Sequence, residues 1–405
     1  MNRTWHLLLV VGPAAIIAHL RVAVVRRPAT TVRPMPPTDP TPVRSDGGGH
    51  DRIRLVVLFG GQSAEHDVSR VTAVHVLRAA DPDRYDLVPV GITRDGQWLH
   101  ADDALAALAA PGELAAGLDV AGTAVDPAPM VAPTEAGEQV VVLPLLHGPF
   151  GEDGTVQGML ELAGVPYVGS GVLGSALSMD KAKAREVIEH AGIPQCRWRT
   201  LRDTEVDAAT PDSLVAELGL PLFVKPANLG SSVGVSKAHD RDELRDALAL
   251  AATYDEWIVV EEHVEGREIE IAVLGNTDLR VSVPGEIRPG AEFYSYDDKY
   301  VDDGAELIVP ATLPADVAEQ IVELATAAFR ALRAEGMARV DFFYEEGGRG
   351  LLLNEINTIP GFTPISMYPK LWAASGVPYP QLIDELVALA IERHQRRTAH
   401  RRTDH

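Results

Sequence analysis

The sequence predicts a mixed architecture, an α/β domain beginning near residue 52 followed by α+β portions, on three observations. Short continuous apolar runs such as IRLVVLFG (53 to 60) and QVVVLPLLHG (139 to 148) alternate with helical patterns, the texture of a parallel sheet buried on both faces. After about residue 170 the order becomes strand, glycine-rich loop, strand, as in PLFVKPANLGSSVGVSKA (221 to 238). RVDFFYEEGGRGLLLNEINTIPG (339 to 361) then reads as a two-stranded hairpin with a glycine-rich tip.

The N-terminal residues stand apart. WHLLLVVGPAAIIAHL (5 to 20) follows Arg3 with the composition of a signal h-region or a short anchor, but Pro13, His6 and His19 interrupt it. A disordered or mis-started extension, with Met35 as a second possible start, fits the same residues. The Pro-rich stretch from Arg26 to Asp51 is a linker by composition, so residues 1–51 are set off from the globular chain.

IRLVVLFG runs into Gly60-Gly61, a buried strand entering a turn, and residues 63 to 80 read as a helix with Ser63 as its candidate N-cap. DLVPVGI supplies a second strand. Ligand-facing loops leave the carboxyl ends of such strands, where GGQSAE and HGPFGEDG fall. This domain spans 52–170. SALSMDKAKAREVIEHAG (175 to 192) reads as one helix closed by Gly192, and WIVVEEHVEGREIEIAVLG (257 to 275) as a strand pair. The central portion is placed at 171–261 and the last at 262–393, with a Tyr-rich loop at 293 to 300 and amphipathic helices near 314 to 335 and 379 to 394. The basic segment 394–405 reads as a frayed tail.

The 405 residues are 46% hydrophobic with 5% aromatics, enough for sizeable cores and two or three domains. Formal charge is −22, and because the first 50 residues carry +4, the remainder stands near −26. Such a field repels phosphate backbones and argues against nucleic acid as a partner. A small anionic ligand remains compatible, since local Lys and Arg with a divalent cation reverse the local potential. Cys196 is the only cysteine, which excludes an intrachain disulfide and a thiolate cluster and suits an inert core position.

Counting across the 339–361 hairpin, a three-residue tip of Gly347, Gly348 and Arg349 pairs Asp341 with Glu355 and Arg339 with Asn357, all on one face. Phe342, Tyr344, Leu352 and Ile356 fall on the other. Two carboxylates and an amide make an all-oxygen pocket suited to Mg²⁺, although a solvated hairpin face with incidental acids has the same pattern. NLGSSVG (228 to 234) is rich in backbone donors and hydroxyls, including Ser231 and Ser232, that can close over phosphates, yet it lacks the Walker A spacing and also resembles a surface tip. Lys225 ends an apolar strand just before that loop, and Lys181 lies on a helix after SMD, where an exposed lysine is the more ordinary reading. Glu261 ends the run WIVV, as at the edge of an adenine slot or at any strand end meeting solvent. Glu65, His147 and Glu152 are strand-end polar residues. No GxSxG elbow and no HExxH or HxxEH zinc spacing occurs.

In order, GGQSAEHDVS, HGPFGEDG, SALSMDK, VKPANLGSSVGVSK, EEHVEGREIE, FYSYDDKY, ARVDFF and NEINTIPGFTPISMYPK resemble the D-alanine:D-alanine ligases of the ATP-grasp superfamily, over about residues 53 to 392. The resemblance implies a three-domain ATP-grasp fold with an N-terminal Rossmann-like domain, and ATP held between the central and C-terminal parts. It implies that the carboxylate of one D-alanine takes the ATP γ-phosphoryl group and that the amine of a second displaces phosphate, giving a dipeptide for peptidoglycan. By matching position, Asp341, Glu355 and Asn357 resemble ligands of two Mg²⁺ ions (Mn²⁺ as substitute). Lys181, Lys225 and Lys299 resemble phosphate contacts, Glu261 and the Val264 backbone the adenine site, and Glu268 the ribose contact. Glu65 resembles the holder of the first D-alanine ammonium, joined with Ser231 and Tyr300 in one network, with His147 beside it. Arg339 and the Gly361 amide resemble the oxyanion stabilisers, and Ser366 with the Met367 amide the carboxylate anchor of the second D-alanine. The Lys299-Tyr300 loop ending resembles dipeptide-forming ligases, which leaves a D-lactate or D-serine product as the alternative. A cytoplasmic homodimer is what the family implies, with no membrane partner. Two rival readings are a catalytically silent relative and another carboxylate-amine ligase of the superfamily.

Overall fold

The computed structural model describes residues 5–9, 16–20, 52–109, 117–288 and 306–401. Contacts divide the chain into a unit Met1–Asp46 and a unit Gly47–His405. In the first, β1 (Trp5–Leu9) and β2 (Ile16–Leu20) pair antiparallel, with Trp5 opposite Leu20. No helix among the described residues is long and apolar enough to cross a membrane.

Among the described residues the second unit holds three sheets. β3 (Ile53–Gly60), β4 (Tyr85–Ile92), β5 (Trp98–His100), β6 (Thr123–Ala124) and β7 (Val140–Pro144) are ordered β6-β5-β4-β3-β7. β3 lies parallel to both β4 and β7, as its continuous apolar character requires, and Leu55 to Phe59 are fully buried. Helix α1 (His66–Ala79) packs against β3. Ser63 does not cap it. The N-cap position is Glu65, whose backbone N–H donates to Ser63 Oγ at 3.2 Å and whose side chain makes no capping hydrogen bond.

The second sheet is antiparallel, β10-β9-β11-β8, from β8 (Trp198–Arg202), β9 (Leu222–Pro226), β10 (Ser236–Ala238) and β11 (Trp257–Glu262). The third takes β12 (Arg267–Gly275), β13 (Arg280–Val281), β14 (Gly285–Arg288), β15 (Glu306–Ile308), β16 (Gly336–Glu345) and β17 (Gly350–Asn357), in the order β15-β14-β12-β16-β17 with β13 on β12. The expected pairing of the two strands in 257 to 275 is overturned. β11 lies between β8 and β9, whereas β12 crosses to the third sheet and pairs with β14 and β16. Alternation fixes that each segment is a strand, but the choice of partner is made by more distant chain.

SALSMDKAKAREVIEHAG is also not one helix. It breaks at Asp180 into one helix over Val172–Met179 and another over Lys181–His190, with Asp180 extended and its carboxylate accepting from the Lys183 backbone N–H at 3.0 Å. That break puts Lys181 at the first position of the second helix. The basic C-terminal segment is not frayed as far as described: the last helix runs Tyr379–Arg401.

One face of the third sheet packs Ile269, Ile271, Val340, Phe342 and Ile356 into a core with the helix Ala315–Ala331. On the opposite face Ala272, Leu274 and Met337 join Tyr368, Leu371 and Leu382 of the last two helices, in a core continuous with that of the first sheet. Further along this second face the side chains become polar, and there the cleft opens.

Candidate active site

The hairpin of β16 and β17 supplies the floor. Arg339 pairs with Asn357 and Asp341 with Glu355, as counting expects. The agreement rests on two compensating departures. The last pair is Glu345 with Gly350, so the tip is the four residues Glu346 to Arg349, and a bulge after Asp341 leaves Asn354 without a register partner. Beyond the bulge Leu351 and Leu353, not Leu352, face the core with Tyr344 and Phe342. Leu352 packs instead with Phe343, Val264 and Cys196. Cys196 is buried there, and burial raises the pKa of its thiol.

A cleft of about 1740 Å³ lies over this floor and is lined by residues of the second and third sheets together with Glu65 and helix α1, after β3, and His147 and Glu152, after β7. Asn357 Nδ2 donates to Asp341 Oδ2 at 3.0 Å and lies 3.5 Å from Glu355 Oε1, so the three oxygen-bearing side chains meet. Among the described residues no group of three His, Cys, Asp or Glu side chains forms a metal cage. The third donor here is an amide, and a half-turn of it presents oxygen in place of nitrogen. Two carboxylates and an amide oxygen match the hard, oxygen-seeking, partly hydrated Mg²⁺. Arg339 donates to both oxygens of Asp341 at 2.8 and 2.7 Å, and its Nε lies 3.0 Å from Glu270. Burial works against the guanidinium charge, but Asp341 and Glu270 outweigh it and hold Arg339 firmly protonated.

At the strand end of the second sheet, Glu261 is buried between two cations, taking Arg185 Nε at 2.8 Å and Lys225 Nζ at 2.8 Å. Burial raises its pKa, yet Arg185 and Lys225 overcome that and leave it below the usual carboxylate range. Lys181 Nζ donates to the Leu229 carbonyl. Its pKa is lowered by burial, with Lys225 adding to the effect and Glu355 opposing it. Val264 and half-buried Glu268 line the same cleft. Ser231 and Ser232 both adopt left-handed backbone, at φ 49° and 59°, which is costly for residues with a Cβ and bends the loop sharply.

The first sheet brings Glu65 to this loop, and Ser231 Oγ donates to the Glu65 carboxylate. Glycine is needed twice around it: a Cβ on Gly230 would stand 2.7 Å, and one on Gly148 3.0 Å, from Glu65 Oε2. His147 Nδ1 donates to the Ile359 carbonyl at 3.1 Å and lies 4.0 Å from Glu152. Ser366, which also lines the cleft, is the N-cap of the helix Met367–Ala374, and its Oγ takes the Thr363 N–H at 3.2 Å and meets Thr363 Oγ1 at 2.8 Å. Gly361 faces it, since a Cβ there would lie 3.1 Å from Ser366 Oγ. Lys299 and Tyr300, with the rest of FYSYDDKY, lie outside the described residues. All the other sequence-derived site residues line the one cleft.

Sequence reasoning missed Arg185 and Glu270. Each had a signal: Arg185 stands four residues after Lys181 on one helix face, and Glu270 two after Glu268 on one strand face.

Residues 54–170 match the family model described as D-ala D-ala ligase N-terminus, and residues 187–388 match D-ala D-ala ligase C-terminus. A D-alanine–D-alanine ligase of Bacillus pumilus is 47% identical over 351 residues, covering 85% of this chain and 97% of its own. The structure of the D-alanine-D-alanine ligase from Coxiella burnetii superposes with a TM-score of 0.74 at 36% identity, over 87% of this chain and 97% of that one. The VanG D-Ala:D-Ser ligase of Enterococcus faecalis superposes with a TM-score of 0.71 at 35% identity, over 84% and 99%. Because both family models match in succession and whole-length relatives agree with them, the chain belongs to the D-alanine:D-alanine ligase family of ATP-grasp enzymes and is a ligase.

Proposed function

We propose that the chain joins two D-alanine molecules into D-alanyl-D-alanine for peptidoglycan precursor synthesis, through an acyl phosphate, with the cleft residues divided between phosphoryl transfer and amine attack. The observation that carries this is the convergence of Lys181, Lys225, the serine loop and the Arg339–Asp341–Glu355–Asn357 floor in one cleft that Glu65 and Ser366 also line.

Glu261 and Val264 bound the adenine, Glu268 addresses the ribose, and Lys181 and Lys225, with Lys299, neutralise phosphates under Ser231 and Ser232. Glu65 holds the ammonium of the first D-alanine beside His147, which points its carboxylate at the γ-phosphorus. Attack forms the oxygen–phosphorus bond and releases ADP. The amine of the second D-alanine, whose carboxylate sits on Ser366 and the Met367 amide at a helix N-terminus, then attacks the acyl carbon, and phosphate leaves. Arg339 and the Gly361 amide face the oxyanion that forms in between. Tyr300 completes the Glu65–Ser231 network. Asp341, Glu355 and Asn357 would hold the two Mg²⁺ ions, with Mn²⁺ as substitute. When bound, the ions offset charge between the ATP phosphates and the attacking carboxylate.

The three-domain division at 52–170, 171–261 and 262–393, the cytoplasmic location where ATP and precursors are made, and the homodimer belong to the same reading; sedimentation tests the last. D-alanine-dependent phosphate release from ATP with Mg²⁺ tests the ligation, and its absence from folded protein removes it. The similarity to the D-Ala:D-Ser ligase favours D-serine as a second reading for the second substrate. Product analysis with D-alanine, D-serine and D-lactate in competition decides between them.

A further inference from the structure

Glu270 belongs to no role assigned above, yet the register places it in the floor. β12, β16 and β17 lie side by side, and Glu270, Asp341 and Glu355 occupy one row across them, with Arg339 in the neighbouring row opposite Ala272. Glu270 is only 4% exposed. Its Oε2 lies 3.0 Å from Arg339 Nε, the same nitrogen that donates to Asp341 Oδ1 at 2.8 Å. Asp341 is thus held by two nitrogens of the guanidinium, Nε and Nη2, and by Asn357, which occupies lone pairs that a cation needs. A guanidinium that lets go of Asp341 in a buried setting must keep another carboxylate, because an unpaired buried charge is strongly disfavoured.

We propose that Glu270 is a positioning residue that receives Arg339 when Asp341 turns to a divalent cation, so that Glu270 sets cation affinity and keeps Arg339 aimed at the cleft. This rests on Asp341, Glu355 and Asn357 being the cation ligands. Glu270 makes the two demands on Asp341 compatible. It does so through Arg339 and not by touching the cation.

The test is Mn²⁺ binding to the full chain in the presence of a non-hydrolysable ATP analogue, followed by the electron paramagnetic resonance signal of free Mn²⁺. Asp341→Asn addresses the ligand assignment alone: if it leaves Mn²⁺ affinity unchanged, the assignment itself fails whatever Glu270 does. With that loss in hand, Glu270→Gln is expected to weaken Mn²⁺ affinity about tenfold, the usual scale for groups that orient a ligand. In an Arg339→Met background the same change is expected to matter by less than about twofold, since no guanidinium then competes for Asp341. Equal weakening in both backgrounds means that Glu270 acts by charge alone and overturns the proposal, as does unchanged affinity in the single variant. Glu270→Asp gives an independent arm if Arg339→Met does not fold. It keeps the charge but withdraws it from Arg339, so affinity close to the Gln variant supports the handover and wild-type affinity refutes it.

Discussion

At the residue scale, the chemistry depends on charges whose partners are fixed by the fold. Glu355 shares its row with Asp341 and is half-buried at the cleft, so Glu355→Gln removes a charge and little packing. We expect turnover to fall by more than about 100-fold with the thermal midpoint nearly unchanged, read by coupled ADP release and a melt. His147 behaves differently. Burial pulls its pKa down, but Glu152 and Glu65 outweigh burial and raise it above 6.5. A raised folded-state pKa contributes stability in full below the unfolded value and loses it as pH climbs through the folded one. The stability advantage of wild type over His147→Gln should therefore be largest below pH 6.5 and shrink above it, as measured by denaturant unfolding at a series of pH values. An advantage that is flat across that window would mean that His147 is held as the neutral ring.

At the element scale, the serine loop and the hairpin show how far local pattern carries. NLGSSVG identified a loop able to meet phosphate, but not that Gly230 is required by the first sheet. A Cβ there would stand 2.7 Å from Glu65 Oε2, so Gly230→Ala must displace either the loop or the carboxylate. We expect kcat/KM for D-alanine to drop about tenfold or more, on the scale of a lost charge-assisted hydrogen bond, while ATP binding measured by calorimetry changes less. The hairpin face was legible because i and i+2 share a side in any strand. The bulge at Asn354 was not, since nothing in NEIN distinguishes a bulged residue from a paired one, and the correct pairing of Asp341 with Glu355 came from a tip one residue too short offset by a missing bulge.

At the scale of the whole molecule, the last helix ties distant parts of the unit together. Arg393 is buried, stacks 4.1 Å from the Tyr167 ring centroid, and donates to the backbone carbonyls of Tyr167 (2.9 Å) and Gly169. Arg397 pairs with Glu161 and Arg396 with Glu335, so this segment binds both the helix Thr155–Ala163 and the residue just before β16. Arg393→Ala leaves two buried carbonyls unsatisfied, a loss of about 2–4 kcal/mol. A clear fall in thermal midpoint is the expected outcome, and removal of residues 393–405 should cost at least as much. A truncated protein that melts with wild type would restore the frayed-tail description.

The sequence by itself determined the strand Ile53–Gly60, the existence and face of the 339–357 hairpin, and the order of motifs that marks the family, because each is written in spacings of a few residues. The tertiary structure alone decided that β11 and β12 separate into different sheets, that Arg185 secures Glu261, that Glu270 enters the row of acids, and that Arg393 is buried. Those four depend on contacts between segments far apart in the chain. Periodicity within one segment fixes which way a side chain faces, whereas its partner is fixed by which other segment the shared core brings alongside.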